Sequence, residues 1–415
     1  MKKLKVLTVL GTRPEAIKLA PVVQQLQAHP AKVEVQICVT GQHREMVDQV
    51  LKLFSISPDF DFDLMQSNQT PSQVAARVLL ALDSLLESLR PDWVLVQGDT
   101  TTVMATSIAA HHRRVKVGHV EAGLRTYDRL NPFPEEMNRV LTDHVSDLHF
   151  APTTSARDNL LREGINRSSI YITGNTVIDA LHWVIRQPLQ PDSTKLLENL
   201  GITNHKESRN SDLSYSAEQP GTRCLILVTA HRRESFGKPI RNICHALRTL
   251  SARDDVQIVY LVHPNPNIWD PVHELLEGLP GITLLPPVDY LTLVHLMKHS
   301  RLILTDSGGI QEEAPSLGVP VLVMRKTTER PEAVAAGVAK LVGTEVESIV
   351  VASEDLLENS AAHEAMARAI NPYGDGKAAH RIAEILIHGQ CQEFQPKIVS
   401  VAGEIKLKIN DSSPA

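Results

Sequence analysis

Several acids and cations fall directly after apolar runs in this chain, the placement that proton transfer beside an anionic leaving group requires. Glu121 and Arg125 follow "VKVGHV" (Val115–Val120), with Gly123 between them leaving no side chain to block close approach. Asp99 follows "WVLVQG" (Trp93–Gly98), and Glu135 and Glu136 open a helical segment in "NPFPEEMNR" (Asn131–Arg139). Each has a plainer reading, since an aspartate there can cap the next helix and glutamates can complement a helix dipole. Three acids on one sheet edge shift the balance towards chemistry, because like charges gathered in a cleft usually serve it. Cations come from two further stretches. "GTRPEAIK" brings Arg13 and Lys18 to a helix start, with Gly11 letting the backbone approach a ligand. "TAHRRES" ends a strand with His231, Arg232 and Arg233, which favours anion binding over a structural histidine. "DSGGIQEEAPSLG" (Asp306–Gly318) is the most specific stretch. Its Asp306-Ser307-Gly308-Gly309 portion predicts a tight turn whose N–H groups cradle phosphate. Glu313 follows one helical turn later, placed for ribose hydroxyls, and "RKTTERPE" adds Arg330.

These residues need strands to carry them. Short β-rich runs (Lys5–Leu10, Val33–Val39, Trp93–Gly98, Val115–Val120) alternate with helical periods such as Ser72–Leu89. The alternation resumes after residue 222 with "RCLILVTA", "VQIVYLVH", "ITLLP", "RLILTD" and "VPVLVM". Near-continuous apolar strands joined by helices predict two parallel α/β sheets, each covered on both faces. Ligands of such sheets sit at the carboxyl ends of the strands. Thr203–Gly221 is polar and turn-rich and reads as a surface loop, while the tail 389–415 has strand-like pieces but no assigned partner.

Composition narrows the function. At 415 residues two domains are expected, and a net charge of −6 without a long basic run argues against nucleic acid. No apolar run approaches the roughly 20 residues of a membrane span. "MKKLKVLTVL" mimics a signal peptide, but the charged "GTRPEAIK" follows without a small-residue cleavage site, so a first core strand is expected. Four cysteines without a C-x-x-C pair suit a reducing cytoplasm. Eighteen histidines show no zinc spacing, and no G-x-G-x-x-G follows a strand, so neither metal nor nicotinamide cofactor is expected.

With these stretches in view, the chain resembles the non-hydrolysing UDP-N-acetylglucosamine 2-epimerases. "GTRPEAIKLAP", "GDTTT", "GHVEAGLRT", "PEEMNR", "TAHRRESFGKP", "DSGGIQEEAPSLGVPVLVMRKTTERPEAV" and "NPYGDGKAAHRI" carry the likeness from Gly11 to Ile382. The resemblance implies two Rossmann-like domains in the GT-B arrangement around a ligand cleft: residues 1–176, residues 177–375, and a C-terminal helix (376–388) packing back on the first. It also implies a homodimer supplying activated N-acetylmannosamine for surface polysaccharide. Carried over position by position, Asp99, Glu121, Glu135 and His231 match the family's catalytic or near-catalytic positions. Arg13, Lys18, Ser307, Gly308, Gly309, Glu313 and Arg330 match its UDP-binding positions, with Val288 and Leu293 beside the uracil. Some relatives carry an aromatic residue where Leu293 stands. Gln42 and His43 match a second, allosteric UDP-GlcNAc site of some bacterial members.

The implied chemistry explains the acids. Nothing at C3 of an N-acetylhexosamine stabilises a C2 carbanion. The family expels UDP as the C2 proton leaves, giving 2-acetamidoglucal, and then adds UDP and a proton back on the other face to give UDP-ManNAc. Gly123 is then expected to give backbone room beside the sugar. The hydrolysing branch of the superfamily, releasing free ManNAc, is the nearest alternative. A GT-B glycosyltransferase and a nucleotide-sugar sensor are further ones.

Overall fold

The structure, a computed structural model, describes residues 2–41, 44–66, 69–202 and 223–395. The polar stretch Thr203–Gly221, the pair Gln42 and His43, and the strand-like pieces of the tail lie outside these residues. Seven described strands form the first sheet: β1 (Leu4–Leu10), β2 (Val33–Val39), β3 (Phe60–Asp61), β4 (Trp93–Gln97), β5 (Lys116–Val120), β6 (Leu148–Ala151) and β7 (Ile170–Ile172). Their order is β3-β2-β1-β4-β5-β6-β7, and every pairing is parallel. The second sheet holds β8 (Cys224–Ala230), β9 (Val256–Val262), β10 (Ile282–Leu285), β11 (Leu302–Thr305), β12 (Val321–Val323) and β13 (Ala339–Leu341). Its order, β10-β9-β8-β11-β12-β13, repeats the doubly wound plan and is again parallel throughout. Strands β3, β6, β7 and β13 add to those read from the sequence. Each has four residues or fewer.

Alternation along the strands explains why both faces are covered. Leu7 and Val9 of β1 pack with Val78 and Leu82 of the helix Pro71–Leu89, while Val6 and Leu10 pack on the opposite face with Val22 and Leu26. That long helix begins where Thr70 and Gln73 form a reciprocal capping box and Pro71 takes the first turn. In β8, Ile226 and Val228 face the helix Lys238–Leu250, and Leu225 and Leu227 face the other way. Each such fully buried Leu or Ile stabilises the fold by roughly 1.5–3 kcal/mol relative to exposure.

One apolar cluster joins the two sheets. It runs from Leu10 and Leu26 through Val177, Leu181, Ile382 and Leu386 to Val294, Ile303 and Val323. The helix Thr176–Val184 packs on the helix Arg13–Gln27 and also touches helices of the second sheet. The helix Ala378–His388 lies against both Arg13–Gln27 and Thr176–Val184, so the chain returns to the first sheet's layer. Its first residues are held from outside the helix, where Asp179 accepts from the N–H of Ala378 (3.1 Å) and of Ala379 (2.9 Å). Lys377, at the cap position, makes no such bond with its own side chain. Truncating Asp179→Ala orphans both N–H groups and is expected to lower stability by about 1–2 kcal/mol. Urea unfolding of the variant against wild type measures this.

Candidate active site

Strand β5 delivers Glu121 in an unusual conformation. Its φ is +69°, a left-handed value that costs a residue with a Cβ roughly 1–2 kcal/mol. The turn persists because the N–H groups of Glu121 and Ala122 both reach the Phe150 carbonyl of β6, at 3.0 and 3.2 Å. The carboxylate thereby turns away from the core towards other elements. Lys18 donates to both of its oxygens at 2.6 and 2.8 Å, Asn175 donates to Oε1 at 3.0 Å, and Gln97 donates to Oε2. Burial would raise the proton affinity of Glu121, but the charges of Lys18 and Arg330 outweigh it and leave the group lowered. A strained, buried, ionised carboxylate at a strand end is a functional signature.

The second sheet meets it there. Glu312, in the short helix Gly308–Glu313, accepts from the same Asn175 amide at 3.1 Å and lies 3.9 Å from the same Lys18 ammonium. Arg330 donates to its other oxygen. Lys18 therefore sits on the carboxylates, and Arg330 closes the group from the far side.

Around this centre the other acids differ in exposure and in what they hold. Thr100, rather than Asp99, caps the helix Thr101–His112, its hydroxyl accepting from Val103 N–H at 3.3 Å. Asp99 is left part-exposed and paired with Arg139, while Asn138 holds its backbone carbonyl at 3.0 Å. Glu135 opens the helix Glu135–Val145 at the surface side, half-buried. Glu136 is buried and instead fixes the loop, accepting from Thr126 and Tyr127 N–H at 3.0 and 2.9 Å.

Four sequence expectations need correction, the last of them at Asp306 on the second sheet. Arg125 is no substrate-facing cation; it is buried between Asp143 (2.7 Å) and Glu163 (2.6 Å). The Gly123 room is taken by protein: a Cβ there would lie 2.2 Å from the Ala156 carbonyl oxygen, and its φ is +86°. The space at Gly11 is likewise filled, with Thr40 Oγ1 2.6 Å from an added Cβ. Buried packing partners, invisible in the linear sequence, account for both glycines.

On the second sheet, Asp306 is fully buried and serves the His231 loop rather than a phosphate turn. Its Oδ2 accepts from His231 N–H and Arg232 N–H, both at 2.8 Å, and from Ser235 Oγ at 3.0 Å. Its Oδ1 lies 3.3 Å from His231 Nδ1 without a hydrogen bond between them, and the imidazole stacks on His263 with ring centroids 5.8 Å apart. Burial, then the neighbouring His263 and Arg232, hold His231 below its ordinary proton affinity against the pull of Asp306. Ser307 precedes the helix, and Gly308 and Gly309 form its first turn. A methyl group on Gly308 would lie 3.5 Å from Arg232 Nη2 and 3.9 Å from the Arg330 guanidinium carbon, so two cations flank that turn. Glu313 accepts from buried Tyr290 Oη at 2.6 Å, and burial pushes its carboxyl up to about 7. Arg13 crosses from the first sheet to the Val288 carbonyl at 3.5 Å, and Leu293 is partly buried against the shared core.

Comparison with known proteins decides the family. A family model described as UDP-N-acetylglucosamine 2-epimerase matches residues 24–387. The chain is 54% identical to the UDP-N-acetylglucosamine 2-epimerase of Escherichia coli (strain K12), over 92% of this chain and 98% of that one. The chain belongs to the UDP-N-acetylglucosamine 2-epimerase family. Among solved structures, the UDP-GlcNAc 2-epimerase from Neisseria meningitidis bound to UDP-GlcNAc is 46% identical with a TM-score of 0.79, covering 92% of this chain and 99% of that one. The Methanocaldococcus jannaschii UDP-GlcNAc 2-epimerase in complex with UDP-GlcNAc and UDP is 33% identical with a TM-score of 0.75, again over 92% and 99%. The two parallel sheets are thus the GT-B-like fold of this family.

Beyond the motif residues, this epimerase-family site uses groups that spacing alone does not reveal. Glu312 reads as a helical neighbour of Glu313, and Asn175 as an N-cap, a task it also performs for Val177 at 3.1 Å. Glu15 is a third such group. Its carboxyl is buried under the "GTR" turn, accepting from Gly11 N–H at 2.6 Å and Thr12 Oγ1 at 2.9 Å, with Thr100 a further partner. It ties the Arg13 turn to the Asp99 turn. Burial raises it from 4.5 to about 7 in spite of those donors. The native state therefore binds this proton more tightly than the unfolded chain. The stability it contributes is complete below pH 4.5 and is lost as the pH rises to about 7. Glu15→Gln stays neutral throughout, so its stability relative to wild type should improve by about 1–3 kcal/mol from acidic to mildly alkaline pH. Chemical unfolding at several pH values reads this directly.

Proposed function

We propose that this protein catalyses the reversible C2 epimerisation of UDP-GlcNAc to UDP-ManNAc by eliminating UDP to 2-acetamidoglucal and adding it back. The observation that carries this is the buried, ionised Glu121 at the meeting of first-sheet acids and second-sheet cations, within a family whose Neisseria meningitidis member is described as bound to UDP-GlcNAc. Glu121 takes the C2 proton on one face of the sugar. The C–H electron pair becomes the C1=C2 bond, and the C1–O pair departs with UDP. Asp99 and Glu135 serve proton return on the other face. His231, Arg13, Arg330, Lys18 and the Ser307-Gly308-Gly309 turn stabilise the departing diphosphate. Glu313 accepts from the ribose hydroxyls, and Val288 and Leu293 flank the base. The reading extends to a two-domain division at 176/177 and 375/376. It also includes a cytoplasmic homodimer that supplies activated N-acetylmannosamine for surface polysaccharide.

Incubating the purified protein with UDP-GlcNAc in D2O tests the route. Proton NMR and mass spectrometry should find deuterium at C2 of both UDP-ManNAc and recovered UDP-GlcNAc, without added NAD and with chelator present. Free ManNAc as the main product would make the enzyme a hydrolysing one, and full retention of the substrate hydrogen would rule out elimination.

Roles separate by mutation. Glu313→Ala should weaken UDP binding by about 1–3 kcal/mol, since it removes an acceptor and leaves Tyr290 unpaired. Glu121→Gln should leave UDP affinity close to wild type while lowering kcat by roughly 100-fold or more. Calorimetry and steady-state kinetics on both variants check the division.

A further inference from the structure

The second sheet supplies an acid that no motif assignment uses, and it shares every partner of Glu121 that matters for charge. Asn175 Nδ2 donates to Glu121 Oε1 (3.0 Å) and Glu312 Oε2 (3.1 Å) at once. Lys18 Nζ lies 2.6 Å from the former oxygen and 3.9 Å from the latter. Both carboxylates are almost wholly excluded from water, with side chains 5% and 1% exposed. Those partners and Arg330 come from five separate segments: Lys18 from the helix Arg13–Gln27, Glu121 from the end of β5, Asn175 ahead of the helix Thr176–Val184, Glu312 from Gly308–Glu313, and Arg330 ahead of Pro331–Ala335. Gln97 completes the shell on Glu121, and Asn371 holds the Glu312 backbone carbonyl at 2.7 Å.

We propose that Glu312 is a positioning residue for proton transfer at Glu121, receiving the Lys18 ammonium whenever Glu121 carries the proton. The proposal rests on the epimerase reading above. When Glu121 takes the C2 proton it becomes neutral, and Lys18 loses its closest anion in a largely buried site. Glu312 stands within reach of the same ammonium with Arg330 already against it. Like charges so placed titrate as a pair: the proton on Glu121 removes the repulsion that Glu312 felt, so Glu312 stays ionised and accepts Lys18. Loss of that proton from Glu121 reverses the exchange. Burial raises the proton affinity of Glu312, and the charge of Glu121 raises it further against Arg330 and Lys18. That reciprocal coupling also keeps Glu121 a stronger base than two flanking cations alone would leave it.

The test compares wild type, Glu312→Gln and Glu312→Asp in steady-state epimerisation of UDP-GlcNAc across pH. Glu312→Gln should lower kcat by roughly 10- to 100-fold with KM changed by less than about threefold. The acidic limb of its kcat/KM profile should move to lower pH, because the neighbouring negative charge that raised Glu121 is gone. Glu312→Asp keeps that charge at a shorter reach, so kcat should be intermediate and the limb should stay where wild type has it. A wild-type kcat in the Gln variant, or a lower kcat with an unmoved limb, overturns the proposal. If the Gln variant does not fold, a displaced limb in Glu312→Asp overturns it instead. Wild-type protein that leaves UDP-GlcNAc unconverted would overturn the epimerase reading itself, a result distinct from the variants behaving alike.

Discussion

Burying Lys18, Glu121, Glu312 and Arg330 in one place is the constraint on which the rest of this structure depends. Two cations and two carboxylates can leave water only if each finds its partners at once, since any one left alone costs several kcal/mol. Lys18 and Glu121 belong to the first sheet's layer, while Glu312 and Arg330 belong to the second, with Asn175 between them. The charges are satisfied only with the carboxyl ends of both sheets facing one another. The apolar cluster running from Leu26 through Leu181 and Ile382 to Ile303 supplies the cohesion, and the charge group supplies the register.

The first sheet is built to hold Glu121 against its own backbone preference. His119 bridges Asp143 (2.6 Å) and the Gly98 carbonyl (2.8 Å), so one imidazole joins the strand end before Asp99 to the helix Glu135–Val145. Asp143 is held well below the ordinary carboxylate range, because His119 and Arg125 outweigh its burial. It also accepts from Gly123 N–H at 3.2 Å, two residues beyond Glu121. Residues that look like functional groups in "HVEAGLRT" thus brace Glu121 in its left-handed conformation. Such over-determination is what a left-handed residue with a side chain needs to persist.

The second sheet repeats the strategy with different atoms. Asp306 spends its carboxylate on the backbone of His231 and Arg232, fixing an imidazole and a guanidinium beside the Gly308 turn. Buried Glu313, its proton affinity raised by burial, stands nearby and accepts from Tyr290. The first sheet therefore brings the strained Glu121 with Lys18, and the second adds Arg232 and Arg330 beside the Gly308 turn, a grouping that suits expelling an anion as a proton is taken.

The sequence by itself determined the class of fold and singled out Lys18, Glu121 and Arg330, which the structure brings together. Apolar runs of five to seven residues and amphipathic helices encode their own local structure, so β1, β2, β4, β5, β8 and β9 and the helix Pro71–Leu89 were all legible. Position after a strand made Asp99, Glu121 and His231 candidates, because strand ends are where a parallel sheet presents side chains to a ligand. Strands β3, β6, β7 and β13 escaped, since their stability comes from sheet neighbours rather than from their own pattern. Tertiary structure alone decided which charges meet. Lys18 and Glu121 are 103 residues apart and Asn175 and Glu312 are 137 apart, and no local rule links such positions. It also decided that Arg125 and Gly123 serve packing and that Asp306 serves the His231 loop. A charge or a missing side chain declares its chemistry in the sequence, but its task depends on what lies within about 4 Å, and that is fixed only when distant segments pack.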